Sequence, residues 1–173
     1  MGKIVVKFGG SSLADAAQFR KVRDIIRMDP RRCYVVPSAP GRRFPEDEKI
    51  TDLLYQTYRA QRNGENIEPI FRRVRERYLS IAEELGLSFP IARELDEVEQ
   101  LIREGASEDF CASRGEYLNG LLLADYLGFD FLDSSLWLKF KLDGTVDQEA
   151  SYENLRRAAS GRRVVIPGFY GAM

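Results

Sequence analysis

Lys7-Phe8-Gly9-Gly10-Ser11-Ser12 is the stretch whose residue types and spacing most directly suggest chemistry. Two glycines let a backbone approach a ligand closely, and a helix starting just after them would offer unpaired N–H groups to an anion. Lys7 puts a positive charge at the same point, so the segment reads as a phosphate cradle. The same residues also read as a tight strand-to-helix turn with a serine cap, and local chemistry does not separate the two. The stretch is neither GxxxxGK[ST] nor GxGxxG, which excludes two familiar nucleotide loops. The 173 residues include no histidine, which removes Ser/His and Cys/His nucleophile systems and the usual zinc spacings. Catalysis would have to run on Lys, Arg, Asp, Glu, hydroxyls and backbone amides. Cys33 and Cys111 lie far apart and read as buried free thiols.

The elements that would position these groups follow from periodicity. Ile4 to Phe8 is short, β-branched and aromatic, and closed by Gly9-Gly10, which predicts a buried strand. Ser11 or Ser12 would cap a helix carrying Phe19, Val22, Ile25 and Ile26 on one face, stopped at Asp29-Pro30. Cys33 to Pro37 is a second strand, and a strand–helix–strand unit implies parallel pairing. Arg42 to Lys49 reads as a solvated loop. Ile67, Ile70, Phe71, Val74, Tyr78, Ile81 and Leu85 then mark one helix, with Arg72, Arg73, Arg75 and Arg77 assigned to its polar side. Ile91 to Ile102 marks another, and Glu108 to Leu127 a third that ends at Gly128. Short strands are expected at Phe129–Leu132, Leu136–Phe140 and Arg163–Pro167, with a helix over Ala150–Ala159. No repeats or low-complexity linkers interrupt the chain, so it reads as one structural unit.

Hydrophobic residues make up 44% and charged residues 31%, the balance of a globular protein. No apolar run approaches a membrane span, and the start lacks a signal-peptide layout, so a cytoplasmic location without membrane contact is expected. A net charge of −1 argues against nucleic acid as a partner.

Val6-Lys7-Phe8-Gly9-Gly10-Ser11-Ser12 resembles the opening motif of aspartate kinases, in the amino acid kinase superfamily. Four further stretches are similar to that family in the same order. These are Val35-Val36-Pro37-Ser38-Ala39-Pro40-Gly41, Ile50-Thr51-Asp52-Leu53-Leu54, Ser113-Arg114-Gly115-Glu116 and Val165-Ile166-Pro167-Gly168-Phe169-Tyr170-Gly171. The resemblance implies an α/β fold, an αβα sandwich around a mainly parallel sheet. It also implies ATP-dependent phosphorylation of the β-carboxylate of L-aspartate, with Mg²⁺ alongside ATP and no metal site of the protein's own. Carried over, Lys7 is the catalytic group that binds the transferring phosphate, and Gly9, Gly10 and Ser11 line the phosphate loop. Ser38, Thr51 and Glu116 would hold aspartate, and Phe169 would border its pocket. Taken singly, Thr51 also reads as a helix cap, Glu116 as an exposed helix residue and Phe169 as core.

Two stretches depart from the family pattern. The segment between Ser38 and Thr51 is long and charged, and Tyr117-Leu118-Asn119-Gly120 puts Asn-Gly where small residues are usual. The family's Arg–Gly–Gly–Ser–Asp segment, expected after Phe169, is not among these residues. The resemblance therefore implies that residues 1–173 are the amino-terminal part of the kinase domain, without the nucleotide-holding part or the regulatory ACT domains. Such a piece is expected to be inactive alone and to expose a sheet edge, with homo-oligomerisation a consequence. A non-catalytic amino-acid-binding or assembly module, and a related kinase of another acidic substrate, are the alternatives.

Overall fold

The structure, a computed structural model, describes residues 2–171. The readings that touch Met1, Ala172 and Met173 lie outside these residues. Strand β1 (Ile4–Phe8) and strand β2 (Arg32–Pro37) pair in parallel, with Val6 opposite Val35 and Phe8 opposite Pro37. Two short strands, β3 (Asp130–Phe131) and β4 (Val164–Val165), complete a four-stranded sheet of order β1-β2-β4-β3. All its pairings are parallel, so every strand ends at the same edge. In such sheets the loops at the carboxyl ends converge on one crevice.

Helices α1 (Ala16–Arg27) and α5 (Glu108–Leu127) lie against one face of the sheet. Helices α2 (Ile50–Arg62), α3 (Glu68–Leu85) and α4 (Ile91–Arg103) pack on them rather than on strands. The period-2 alternation of β2 and β4 sorts the core into two clusters. Val35 and Val165 point into the large one with Phe19, Leu54, Phe71 and Leu118. Val164 joins the smaller one with Leu132, Ala159 and Ile166 on the other face, beneath α7 (Gln148–Ala159). That second layer covers only the β3–β4 side; Val5 on β1 remains 65% exposed. The arrangement is the expected αβα sandwich, with one layer far thicker than the other.

Three local expectations are corrected. Ser11 and Ser12 do not cap α1: residues Gly10–Leu13 form a 3-10 turn first, and the Asp15 carboxylate accepts from Gln18 N at 2.9 Å as the true cap. Leu136–Phe140 is not a strand. Asp133 accepts from Ser135 N at 2.9 Å and starts a single helical turn, α6 (Ser134–Trp137); only Phe140 makes an isolated antiparallel bridge, to Val146. A polar Asp-Ser-Ser cap outweighs the β-propensity of the apolar residues after it. Arg77 is buried, not on the polar side of α3. Both cysteines are buried and unpaired, as anticipated.

Helix α5 runs through the middle of the large cluster. Cys111, Ala112, Ser113, Gly115, Leu118, Asn119 and every residue from Gly120 to Ala124 are buried. Gly128 ends the helix in the left-handed conformation at φ 67°. Leu118 is fully buried. Leu118→Ala is expected to destabilise the fold by about 2–5 kcal/mol through lost burial and a residual cavity, read as a lower urea midpoint at unchanged slope.

Candidate active site

The carboxyl ends of β1, β2 and β4 open into a cleft of ≈ 520 Å³. Gly10 and Ser11 enter it after β1, Ser38 after β2, and Phe169 from the loop after β4. Thr51 comes from the first turn of α2, and Glu116 from the middle of α5. Six of the eight residues singled out from the sequence therefore share one space. Lys7 and Gly9 do not line it. Lys7 lies exposed at the end of β1, close enough for its charge to act on Glu116. Gly9 precedes the 3-10 turn, and its carbonyl accepts from Ser12 N at 3.0 Å.

The hydroxyls of this cleft are free to meet a ligand. Those of Ser11, Ser38 and Thr51 make no hydrogen bond among the described residues, and α2 has no side-chain cap. Thr51 is thus not the cap it could have been: Lys49 occupies that position, and Thr51 follows inside the first turn. Ser38 is held by its backbone. Its N–H donates to Phe8 O at 3.0 Å, and its carbonyl accepts from Asn119 Nδ2 at 2.7 Å. Phe169 is 56% exposed, which excludes a core role.

The charges around the cleft are unequal. Among the described residues Glu116 is the one acid lining it, against Arg42 and Lys49, with Lys7 nearby. The Lys49 side chain makes no hydrogen bond or ion pair among the described residues, and the Arg42 side chain reaches only Pro45 O at 3.4 Å. Glu116 Oε2 accepts from Gly168 N at 3.1 Å. Burial pushes the Glu116 carboxyl above the usual range, opposed by the Gly168 and Phe169 N–H groups and by Lys7. Among the described residues no group of three His, Cys, Asp or Glu could hold a metal ion. A more apolar groove of ≈ 580 Å³ lies beside the thin layer, lined by Val5, Tyr34, Val36 and Trp137. It has no carboxylate and collects none of the eight residues singled out from the sequence.

The family model of the amino acid kinase family matches residues 2–172. This chain belongs to the amino acid kinase family. Aspartokinase 3 of Bacillus subtilis (strain 168) is 35% identical over 182 aligned positions, covering 96% of this chain and 40% of that protein. An aspartokinase of Chlamydia trachomatis serovar D is 30% identical over 129 positions, 71% of this chain and 27% of that protein. Among solved structures, aspartate kinase of Clostridium acetobutylicum superposes with a TM-score of 0.96 at 44% identity, over 100% of this chain and 40% of that one. E. coli aspartokinase III, solved in complex with aspartate and ADP, gives 0.78 at 24% identity over 98% of this chain and 41% of its own. That last likeness shows the fold alone. The chain thus spans at most about two fifths of the length of these relatives.

Within this family member, sequence reasoning missed three residues that shape the cleft. Asn119, fully buried, fixes the Ser38 loop; in the sequence it stands out only as a departure from small residues. Asp47 and Arg77 fix the loop after it.

The raised pKa of Glu116 has a definite sign. The folded state holds that proton more tightly than the unfolded chain, so the stabilisation is complete below the ordinary glutamate pKa and is lost as pH rises through the raised value. Glu116→Gln is therefore expected to leave the urea midpoint unchanged near pH ~4, the ordinary glutamate range, and to raise it at neutral pH. A lower midpoint at neutral pH would mean that its bonds to the Gly168 loop outweigh the desolvation of its charge.

Proposed function

We propose that this chain supplies the acceptor side and phosphate loop of an aspartate kinase, which transfers the γ-phosphoryl group of ATP to the β-carboxylate of L-aspartate to give 4-phospho-L-aspartate. The observation that carries this reading is the charge pattern of the cleft: one carboxylate, Glu116, among uncompensated cations and free hydroxyls. An α-amino dicarboxylate has the complementary pattern, one ammonium and two anions. Glu116 takes the ammonium, while the Ser38 and Thr51 hydroxyls and the uncapped start of α2 donate to the carboxylates. The names of the relatives, aspartokinases throughout, support the same substrate.

The absence of histidine is consistent with this chemistry. The nucleophile is a carboxylate with a pKa of about 3.9, already ionised at neutral pH, so no general base is needed. What remains is to align two anions and to neutralise charge on the phosphoryl group. Lys7, at the end of β1, would bind the transferring phosphate oxygens, with the Gly9–Ser11 backbone following it in the chain. Mg²⁺ supplies further charge neutralisation when carried on the nucleotide phosphates.

Calorimetric titration with L-aspartate, L-glutamate and Mg-ATP separately tests the proposal. L-Aspartate is expected to bind in preference to L-glutamate, and Glu116→Gln to weaken it by about tenfold or more through loss of a charge-assisted contact. Lys7→Ala is expected to weaken Mg-ATP by about tenfold, the scale of one lost charge contact. A preference for glutamate, or no binding of either amino acid, would sink the assignment.

A further inference from the structure

Two loops form the floor of the cleft: the turn Gly9–Leu13 after β1, and the segment Ser38–Lys49 after β2. They touch backbone to backbone. Gly41 N donates to Gly10 O at 2.8 Å, and a Cβ on Gly41 would lie 2.6 Å from the Gly10 carbonyl carbon. Their spacing is therefore set to within tenths of an ångström. The turn is anchored by Leu13, fully buried in the large cluster, whereas the Arg42–Lys49 part of the second loop is mostly charged.

One side chain reaches both from behind. Arg77, on α3, has a side chain only 4% exposed. Its Nη1 donates to Gly41 O at 2.9 Å and to Ala14 O, at the end of the 3-10 turn, at 3.3 Å. Its Nη2 donates to Asp47 Oδ2 at 2.6 Å. Asp47 in turn accepts from Arg43 N at 3.0 Å, Nε at 2.8 Å and Nη2 at 2.9 Å. These Arg43 bonds hold the Asp47 carboxyl well below the usual carboxylate range, with the Arg77 charge adding to them. Within this group of side chains, Arg77 Nε alone is buried without a partner.

We propose that Arg77, with Asp47 as its counter-charge, is a positioning residue that sets the distance between the phosphate turn and the Ser38–Lys49 loop. Burying a guanidinium is expensive, and a buried ion pair is often no more stabilising than apolar residues of the same volume. Its distinctive capacity is directional: a planar fork ties four acceptors on two loops, the Ala14, Gly41 and Glu48 carbonyls and the Asp47 carboxylate, in one fixed geometry. With Asp47 drawn inward, Arg42 and Lys49 on either side of it are left facing the cleft. The functional meaning of this spacing rests on the kinase reading above, because phosphate and acceptor must be held in line to react.

Hydrogen exchange read by mass spectrometry on Arg77→Lys and Asp47→Asn tests it. Arg77→Lys keeps the charge and loses the fork; Asp47→Asn keeps the shape and loses the counter-charge. Each is expected to speed exchange across residues 10–14 and 38–48 by about tenfold or more, as a local opening does, with 91–103 unchanged. L-Aspartate affinity is expected to fall by about tenfold in the same variants. Unchanged loops, or an equal rise in 91–103, would overturn the proposal, since the pair would then have no local role or a merely global one. Should Arg77→Lys fail to fold, Asp47→Asn decides on the same two outcomes. Failure of the parent chain to bind L-aspartate would refute the kinase reading, while the exchange pattern still decides the positioning role.

Discussion

The close approach of α5 to the sheet is the constraint from which the rest of the molecule follows. At Gly115 a Cβ would stand 2.8 Å from the Ala39 Cβ, and at Gly120 2.8 Å from Phe131 Cε2. Neither position has room for a side chain, so the helix sits directly on the loop after β2 and on β3. From there Asn119 reaches Ser38 O, and Tyr78 reaches back to donate to Gly115 O at 2.7 Å. Glu116 reaches across to the loop after β4. With α5 so deeply placed, α2, α3 and α4 have only its remaining sides to pack on. That is why one layer of the sandwich is thick and the other thin.

Most of the architecture was legible because it is written in periodicity. The apolar spacing of α3 and α4 and the alternation of β2 are read directly from residue type, and the end of α5 from Gly128. The misreadings share one physical origin: a polar group that does something local or buried. Arg77 falls three residues after Val74 and four before Ile81, on the buried stripe. Its charge and its place in the run Arg72, Arg73, Arg75 argued for solvent instead. Only the loop carboxylate of Asp47, 30 residues upstream, explains its burial, and that pairing leaves no trace in local spacing. Likewise Asp133 and Asp15 decide where helices start, although the neighbouring serines offer the same capping chemistry.

The cleft itself was less legible than the fold. Which residues would meet could be named only because several segments resembled one family in order; Thr51 and Glu116 alone are ordinary helix residues. What no segment could show was the sorting of charge within Arg42–Lys49. The loop carries three acids, Glu46, Asp47 and Glu48, and three bases, Arg42, Arg43 and Lys49, and so reads as neutral and solvated. Folding separates them. Asp47 pairs with both Arg43 and Arg77, Glu48 pairs with Arg73, and Arg42 and Lys49 are left on the cleft side. A chain of net charge −1 thereby presents a locally cationic site.

That cationic setting resolves a tension within the site. Burial favours the neutral form of Glu116, yet an ammonium is best held by an ionised carboxylate. Lys7 and the N–H groups of Gly168 and Phe169 all favour the charged form. The charge of Lys7, at the end of β1, thus acts on Glu116 in the same direction as the backbone donors of the loop after β4. The same carboxylate also holds the Gly168 backbone, and so sets where Phe169 borders the pocket. One residue thus couples the end of β1, the middle of α5 and the loop after β4. On the proposed kinase reading a site without histidine suffices, because that reaction asks it to place charges rather than to move protons.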